Sequence, residues 1–234
     1  MISLVLMFAT AAMEFVPQPT LGAIVIVAAL ALADVAGTRR LWRQRRMEFT
    51  LSVIALLGVA LLGVLPGILV AVGLSILDVF RRTWWPYHAE LGKVAGVPGL
   101  HDTERYPNAQ YLPGIVVYRF DAPLIFANAR MFGEAMRAIA QEQPEPRWIV
   151  IAAAPITDVD TTASDMLHDL DLWLNERGTS LVFAEMKDPV REKVDRYELT
   201  DTIDPAHFFP TLDAALDEYA RQTGETWRSQ PAGP

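Results

Sequence analysis

Two aspartates lead directly into two hydroxyl side chains in the stretch ITDVDTTASDML, residues 156–167. A helical pattern of apolar residues begins immediately after them. A phosphate on Thr162 would meet free backbone N–H groups and the positive end of the helix dipole. Plain capping is equally compatible with these residues, because Asp160, Thr161 or Thr162 can accept a hydrogen bond from a backbone N–H of the first turn. The stretch therefore predicts a phospho-acceptor or a helix cap.

The surrounding charge favours the cap over the phospho-acceptor. A phosphate on Thr162 would lie beside the carboxylates of Asp158, Asp160 and Asp165, whose repulsion opposes it. Thr162 and Asp165 also fit the capping-box spacing if Asp165 stands in place of the usual glutamate.

No other part of the sequence indicates catalysis. The chain has no cysteine, and its four histidines are spread without a metal-ligand spacing: His88, His101, His168 and His207. Phosphate-binding loops, dinucleotide-binding glycine motifs and nucleophile elbows are absent from the sequence. We therefore predict no enzyme activity, no catalytic or metal-binding residues and no cofactor.

Composition divides the 234 residues into two unlike halves. The whole chain has a net charge of −8 and a mean hydropathy of +0.22. Residues 1–109 carry a net charge of about +2, whereas residues 110–234 carry about −10. An acidic second half gives no reason to expect nucleic acid as a partner.

The first half is built from three apolar blocks, residues 2–16, 21–33 and 49–80. The first two are short for a membrane span, which needs about 20 residues, and the sequence PQPT separates them. The third block would be about 48 Å long as one helix, which exceeds the hydrocarbon thickness of about 30 Å. A lipid bilayer is therefore the expected partner of this half.

Pro66 and Gly67 lie at the middle of the third block, where a helix would break or turn back. Basic clusters flank both ends of the block: Arg39, Arg40, Arg43, Arg45 and Arg46 before it, and Arg81 and Arg82 after it. Cytoplasmic loops collect Lys and Arg, so both ends are expected on the cytoplasmic side. The pattern favours a hairpin over a single tilted span.

Strand and helix patterns alternate in the second half. Strands are predicted at 114–120, 124–129, 147–154 and 179–186, and helices at 129–141, 162–178, 189–199 and 212–222. Continuous apolar strands between helices are typical of a mainly parallel sheet covered by helices. The predicted organisation is a partial transmembrane domain at 1–88, a loop-rich linker at 89–113, an α/β domain at 114–225 and a flexible tail at 226–234.

Several runs resemble the SulP family of inorganic anion transporters. They are LGAIVIVAALALAD, RRLWRQRRMEFTLSVIALLGVALLGVLPGILVAVGLSIL, RFDAPLIFANA and ITDVDTTA, and they follow one another in the family's order. The resemblance covers residues from about 15 to 220 and implies that the acidic half is a STAS domain, a fold shared with anti-sigma-factor antagonists. In those antagonists the residue matching Thr162 is phosphorylated, although Ala163 stands here where they usually have glycine.

The resemblance also implies what the chain contributes. SulP transporters have fourteen membrane segments in two inverted repeats, with the anion site between core-domain helices, and this chain matches them only from about the eleventh segment. It therefore has the last gate-domain helices and a cytoplasmic STAS domain, and no anion-binding residue.

The resemblance thus implies a multi-pass chain of the inner or plasma membrane and a secondary active transporter of the sulfate or bicarbonate class that does not transport alone. Its expected partner is a chain that supplies the missing core, or a second copy in a homodimer. The alternative is a membrane-tethered STAS module that signals or binds a partner.

Overall fold

The computed structural model describes residues 17–142, 144–226 and 228–229. The chain forms two compact units that divide between Leu77 and Asp78. The first apolar block, residues 2–16, lies outside the described residues, and so does most of the tail at 226–234.

Four helices follow one another at the start of the described chain: α1 (Gln18–Leu32), α2 (Val35–Gln44), α3 (Arg46–Leu62) and α4 (Val64–Trp84). Asp34 caps α2, because its Oδ1 accepts a 2.8 Å hydrogen bond from the backbone N–H of Gly37. The apolar side chains of α1, α3 and α4 are largely exposed within this unit, as expected for helices that face lipid.

One helix in the described part of the chain is long and apolar enough to cross a membrane. It is α4, with 21 residues, or about 32 Å at 1.5 Å per residue. Residues Pro19–Leu32 and Val35–Gln44 pass the same test only as a pair, and a bend of 42° separates them.

The second unit is built on one mixed sheet. Its strands are β1 (His88–Lys93), β2 (Leu100–Asp102), β3 (Gln110–Tyr111), β4 (Ile115–Phe120), β5 (Trp148–Ala152), β6 (Ser180–Ala184), β7 (Phe208–Phe209) and β8 (Arg228–Ser229). The order is β7-β6-β5-β4-β1-β3-β8, and β2 pairs with β1. Strands β4 to β7 are parallel, whereas β1 is antiparallel to β4, β2 and β3, and β3 to β8. The predicted parallel part is present, and an antiparallel part adjoins it.

Two sequence-based assignments differ from the structure. The predicted strand at 124–129 is not formed. Residues 124–128 make turns with a single bridge between Leu124 and Val159, and Ala129 begins α5. Residues 89–113, predicted as a loop-rich linker, contain most of β1 and all of β2 and β3. These short strands exist because β1 pairs with β4 over four residue pairs, a long-range contact that overrides weak local propensity.

Helices cover both faces of the sheet: α5 (Ala129–Ala140), α6 (Thr161–Asn175), α7 (Asp188–Arg196) and α8 (Leu212–Thr223). The alternation of side chains along β5 separates two cores. Ile149 and Ile151 pack with residues of α5, α6 and α7, whereas Trp148 and Val150 pack with residues of α8. The central strand is therefore buried on both faces.

Candidate functional site

The start of α6 is held by Asp160. Its Oδ1 accepts a 2.8 Å hydrogen bond from the backbone N–H of Ala163, and its Oδ2 accepts one of 2.7 Å from the backbone N–H of Phe126. Asp160 is thus the N-cap residue of α6 and also accepts a hydrogen bond from the turn before α5. Thr161 and Thr162 follow as exposed residues of the first turn. A phospho-acceptor role for Thr162 stays a prediction.

The neighbouring carboxylate of Asp158 is paired with a cation. Lys193 Nζ of α7 lies within hydrogen-bonding distance of Asp158 Oδ1, and the backbone N–H of Val159 donates to the same oxygen at 2.7 Å. Hydrogen bonding to Asp158 raises the pKa of Lys193 above its ordinary value. The turn before α6 is therefore fixed from both sides, by Asp158 to α7 and by Asp160 to the turn before α5.

Replacing Asp160 by alanine is expected to lower the free energy of unfolding of the second unit by about 1–2 kcal/mol, because the substitution removes a helix cap and a second backbone contact. Asp160→Asn keeps an acceptor oxygen and is expected to lose less. Asp165→Ala, an exposed change on the same helix, is expected to stay within about 0.5 kcal/mol. Chemical denaturation of the full chain in detergent, followed by circular dichroism, measures all three. Equal losses for Asp160→Ala and Asp165→Ala would contradict the capping role.

The helix interruption in the membrane unit lies at Gly63, three residues before Pro66. Gly63 has a φ of +90° and separates α3 from α4. Pro66 and Gly67 lie in the first turn of α4, where the missing N–H of proline costs no helical hydrogen bond. The break is displaced from the predicted pair because Gly63, with a positive φ that glycine adopts without a steric penalty, ends α3 before the proline is reached.

Gly67 has no side chain, which allows the backbone of α4 to contact the backbone of α3. A Cβ built on Gly67 would lie 2.4 Å from the backbone N of Val59, and one built on Gly58 would lie 3.3 Å from the Cα of Gly67. Small residues at helix crossings allow such close approach in membranes. Gly67, one of the two residues expected to break the third block, therefore lies where α3 and α4 make contact.

A buried asparagine joins the last turn of α4 to the turn before α5, both in the second unit. Asn128 is fully buried, and its Nδ2 donates to the carbonyl oxygens of Thr83 (3.1 Å) and Pro123 (2.9 Å). Its Oδ1 accepts a 2.9 Å hydrogen bond from the backbone N–H of Ile125. The sequence did not lead to a prediction for Asn128. The feature that could have indicated it is a single amide side chain within the apolar run LIFANA.

Each histidine has a local contact of its own: His88 stacks on Tyr118, His101 Nε2 lies 3.0 Å from the carbonyl oxygen of Pro98, His168 lies 3.7 Å from Asp169, and His207 packs edge-on against Trp148. Within residues 17–142, 144–226 and 228–229, no three His, Asp or Glu side chains are grouped so that they could hold one metal ion.

Comparison with known proteins connects both halves to one family. A sulfate permease family model matches residues 1–55, and a STAS domain model matches residues 106–215. The probable sulfate transporter MT1781 of Mycobacterium tuberculosis (strain CDC 1551 / Oshkosh) is 40% identical over 223 residues, which cover 95% of this chain. The chain belongs to the sulfate permease, or SulP, family.

This SulP chain spans about 40% of the length of that relative. Sulfate transporter 1.3 of Arabidopsis thaliana is 30% identical over 92% of the chain, which covers 34% of that relative. Murine Slc26a9, an anion transporter solved in the inward-facing state, superposes with a TM-score of 0.74 at 20% identity, covering 89% of this chain and 34% of the other. The prediction of a membrane helical segment followed by a STAS domain is confirmed, with a mixed sheet.

Proposed function

We propose that this SulP chain is the C-terminal part of an inorganic anion transporter of the sulfate or bicarbonate class. Its membrane helices contribute to the gate domain, and its STAS domain assembles or regulates the transporter on the cytoplasmic side. Its partner is either the part of the transporter that supplies the core segments, which lie outside the aligned 40% of the relative, or a second copy in a homodimer. Residues 1–234 by themselves are expected neither to transport an anion nor to act as an enzyme.

The alignment over both halves carries this proposal. One relative named as a probable sulfate transporter aligns with 95% of the chain, so a single alignment covers both the membrane half and the soluble half. A plant relative named as a sulfate transporter matches over nearly the same extent. Among the described residues, one helix, or two if the bent pair counts as a span, is long and apolar enough to cross a bilayer. A chain that covers 40% of the relative leaves most of the transporter unaccounted for.

The distribution of basic residues supports the topology in this proposal. Arg45 and Arg46 lie at the start of α3, and Arg81 and Arg82 lie in the last turn of α4. Because cytoplasmic ends collect such residues, α3 and α4 form a hairpin whose two ends face the cytoplasm, and the STAS domain follows on that side. The transmembrane part then extends over residues 1–88 and the STAS domain over residues 114–225.

Sulfate uptake into proteoliposomes tests the proposal. Vesicles with this chain alone are expected to take up radiolabelled sulfate no faster than protein-free vesicles. Vesicles that also contain the portion of the Mycobacterium tuberculosis relative outside the aligned region are expected to take it up, because the two pieces together supply a whole transporter. That portion alone, and the full-length relative, serve as the negative and positive controls.

The result separates the two functions considered. Uptake by this chain alone would overturn the requirement for a missing core. If neither sulfate nor bicarbonate enters with the complementary portion, while the full-length relative is active, the chain instead functions as a membrane-tethered STAS module for signalling or binding.

A further inference from the structure

An acidic cleft lies between strand β1 and helix α5 in the second unit. Its volume is about 360 Å³, within the size range of small-ligand sites. Ala135, Ala138 and Ile139 of α5 form an apolar wall, and Tyr118 of β4 and Glu90 of β1 lie opposite each other in the antiparallel register. Directly opposed residues on one sheet face have Cβ atoms about 5 Å apart, so these two side chains share the cleft.

Three carboxylates converge on this cleft, from Glu90, Glu104 and Glu142. Glu90 is partly buried, whereas Glu104 and Glu142 are exposed at its rim. Burial raises the pKa of Glu90 above its ordinary value, and the charges of Glu142 and Glu104 raise it further. None of the described residues that line the cleft is Lys or Arg. The described lining therefore carries three carboxylates, and His88 is its one titratable base.

Tyr118 provides independent evidence for a polar ligand. It is 3% exposed and lines the cleft. Its buried hydroxyl has no hydrogen-bond partner among the described residues. Leaving a buried hydroxyl unpaired costs about 1–3 kcal/mol, so such groups usually have a partner. The ring is held by stacking against His88 and by an edge contact with Phe132, which fixes the hydroxyl in place.

We propose that the acidic cleft binds an alkylammonium group, with the carboxylate of Glu90 and the hydroxyl of Tyr118 as its hydrogen-bond acceptors and the α5 wall against its methylene chain. A primary ammonium supplies three N–H donors and a positive charge on an apolar stem, which matches acceptors beside an apolar wall. A free amine or a lysine side chain of a partner protein supplies this chemistry. A metal ion is disfavoured because the described residues hold no group of three suitable ligands close enough together.

Equilibrium dialysis of the full chain in detergent with radiolabelled putrescine tests the proposal. Putrescine is expected to bind with one saturable site per chain. Glu90→Gln is expected to weaken binding about tenfold, because a charge-assisted hydrogen bond is lost. Tyr118→Phe, which removes only the hydroxyl, is expected to weaken binding about fivefold.

Glu134→Gln is the matched control, since Glu134 lies exposed on α5 in an ion pair with Arg130 at 2.8 Å and is not among the cleft residues. The affinity of the Glu134→Gln variant for putrescine is expected to equal that of the original chain. If Glu90→Gln does not fold, Glu142→Gln at the exposed rim tests the same charge. Displacement of putrescine by Nα-acetyl-lysine amide indicates that a lysine side chain suffices, whereas no displacement restricts the ligand to free diamines.

Three outcomes would overturn the proposal. They are the absence of saturable binding, equal affinities for Glu90→Gln, Tyr118→Phe and Glu134→Gln, and displacement of putrescine by stoichiometric Mg²⁺, which would mark a metal site instead.

Discussion

Replacing Gly67 by alanine is expected to destabilise the membrane unit by about 1–3 kcal/mol, the usual cost of forcing an extra carbon into a packed interface. The new Cβ would lie 2.4 Å from the backbone N and 2.5 Å from the Cα of Val59. Both atoms belong to the main chain of α3, so no side-chain rotation relieves the overlap, and the two helices must separate. Unfolding of the full chain in mixed micelles, followed by far-ultraviolet circular dichroism, measures the loss.

Gly73 on the same helix provides the matched control. A Cβ at Gly73 meets no atom of the described residues within 4 Å, and alanine is a better helix former than glycine by about 1 kcal/mol. Gly73→Ala is therefore expected to be neutral or stabilising. Gly58→Ala, whose Cβ would lie 3.3 Å from the Cα of Gly67, is expected to fall between the two. Equal stabilities for Gly67→Ala and Gly73→Ala would show that α3 and α4 do not touch at this point.

The sequence alone predicts those elements whose contacts lie within a short stretch of the chain. The periodic apolar residues of α6 and the Asp160 cap are both readable from a dozen consecutive residues, and helix, cap and parallel strands β4 to β6 lie close to where the sequence indicates. The break in the third apolar block lies at Gly63 and not at the predicted pair Pro66 and Gly67, because proline and glycine both interrupt helices and only the three-dimensional junction decides which one does so.

Features that depend on contacts between residues far apart in the chain could not be predicted from the sequence. The run at 124–129 has the apolar character of a strand, but Asn128 satisfies the backbone of the turn through its side chain. Strand β1 exists through its pairing with β4, and the same register brings Glu90 beside Tyr118. The acidic cleft is therefore a product of tertiary pairing, and no spacing along the sequence predicts it.

A buried carboxylate in the STAS domain is expected to make stability depend on pH. Asp171 on α6 is 2% exposed, and burial raises its pKa to about 6, against a partial lowering by a hydrogen bond from Asn175 and by the charge of His168. The folded state therefore holds the proton more tightly than the unfolded state, whose aspartate has the ordinary value of 3.8. The contribution of Asp171 is fully favourable below about pH 4 and is lost as the pH rises through about 6.

Asp171→Asn is expected to remove this dependence. The asparagine is isosteric and uncharged, and its side-chain oxygen can still accept from Asn175 Nδ2, which lies 2.9 Å from Asp171 Oδ2. The substitution is expected to raise the free energy of unfolding by about 1–3 kcal/mol at pH 8, which corresponds to a pKa difference of up to about two units. At pH 4 it is expected to change the stability little, because the aspartate is then neutral in the folded state.

The control for this prediction is Asp169→Asn on the exposed face of the same helix. Its side chain is 76% exposed and lies 3.7 Å from His168, so the stability difference of this variant is expected to stay within about 0.5 kcal/mol at both pH values. Subtracting the curve of each variant from that of the original chain cancels the titration of His88, His101 and His207, which neither aspartate contacts among the described residues. A stabilisation by Asp171→Asn that is as large at pH 4 as at pH 8 would show that packing, and not the buried charge, sets the effect.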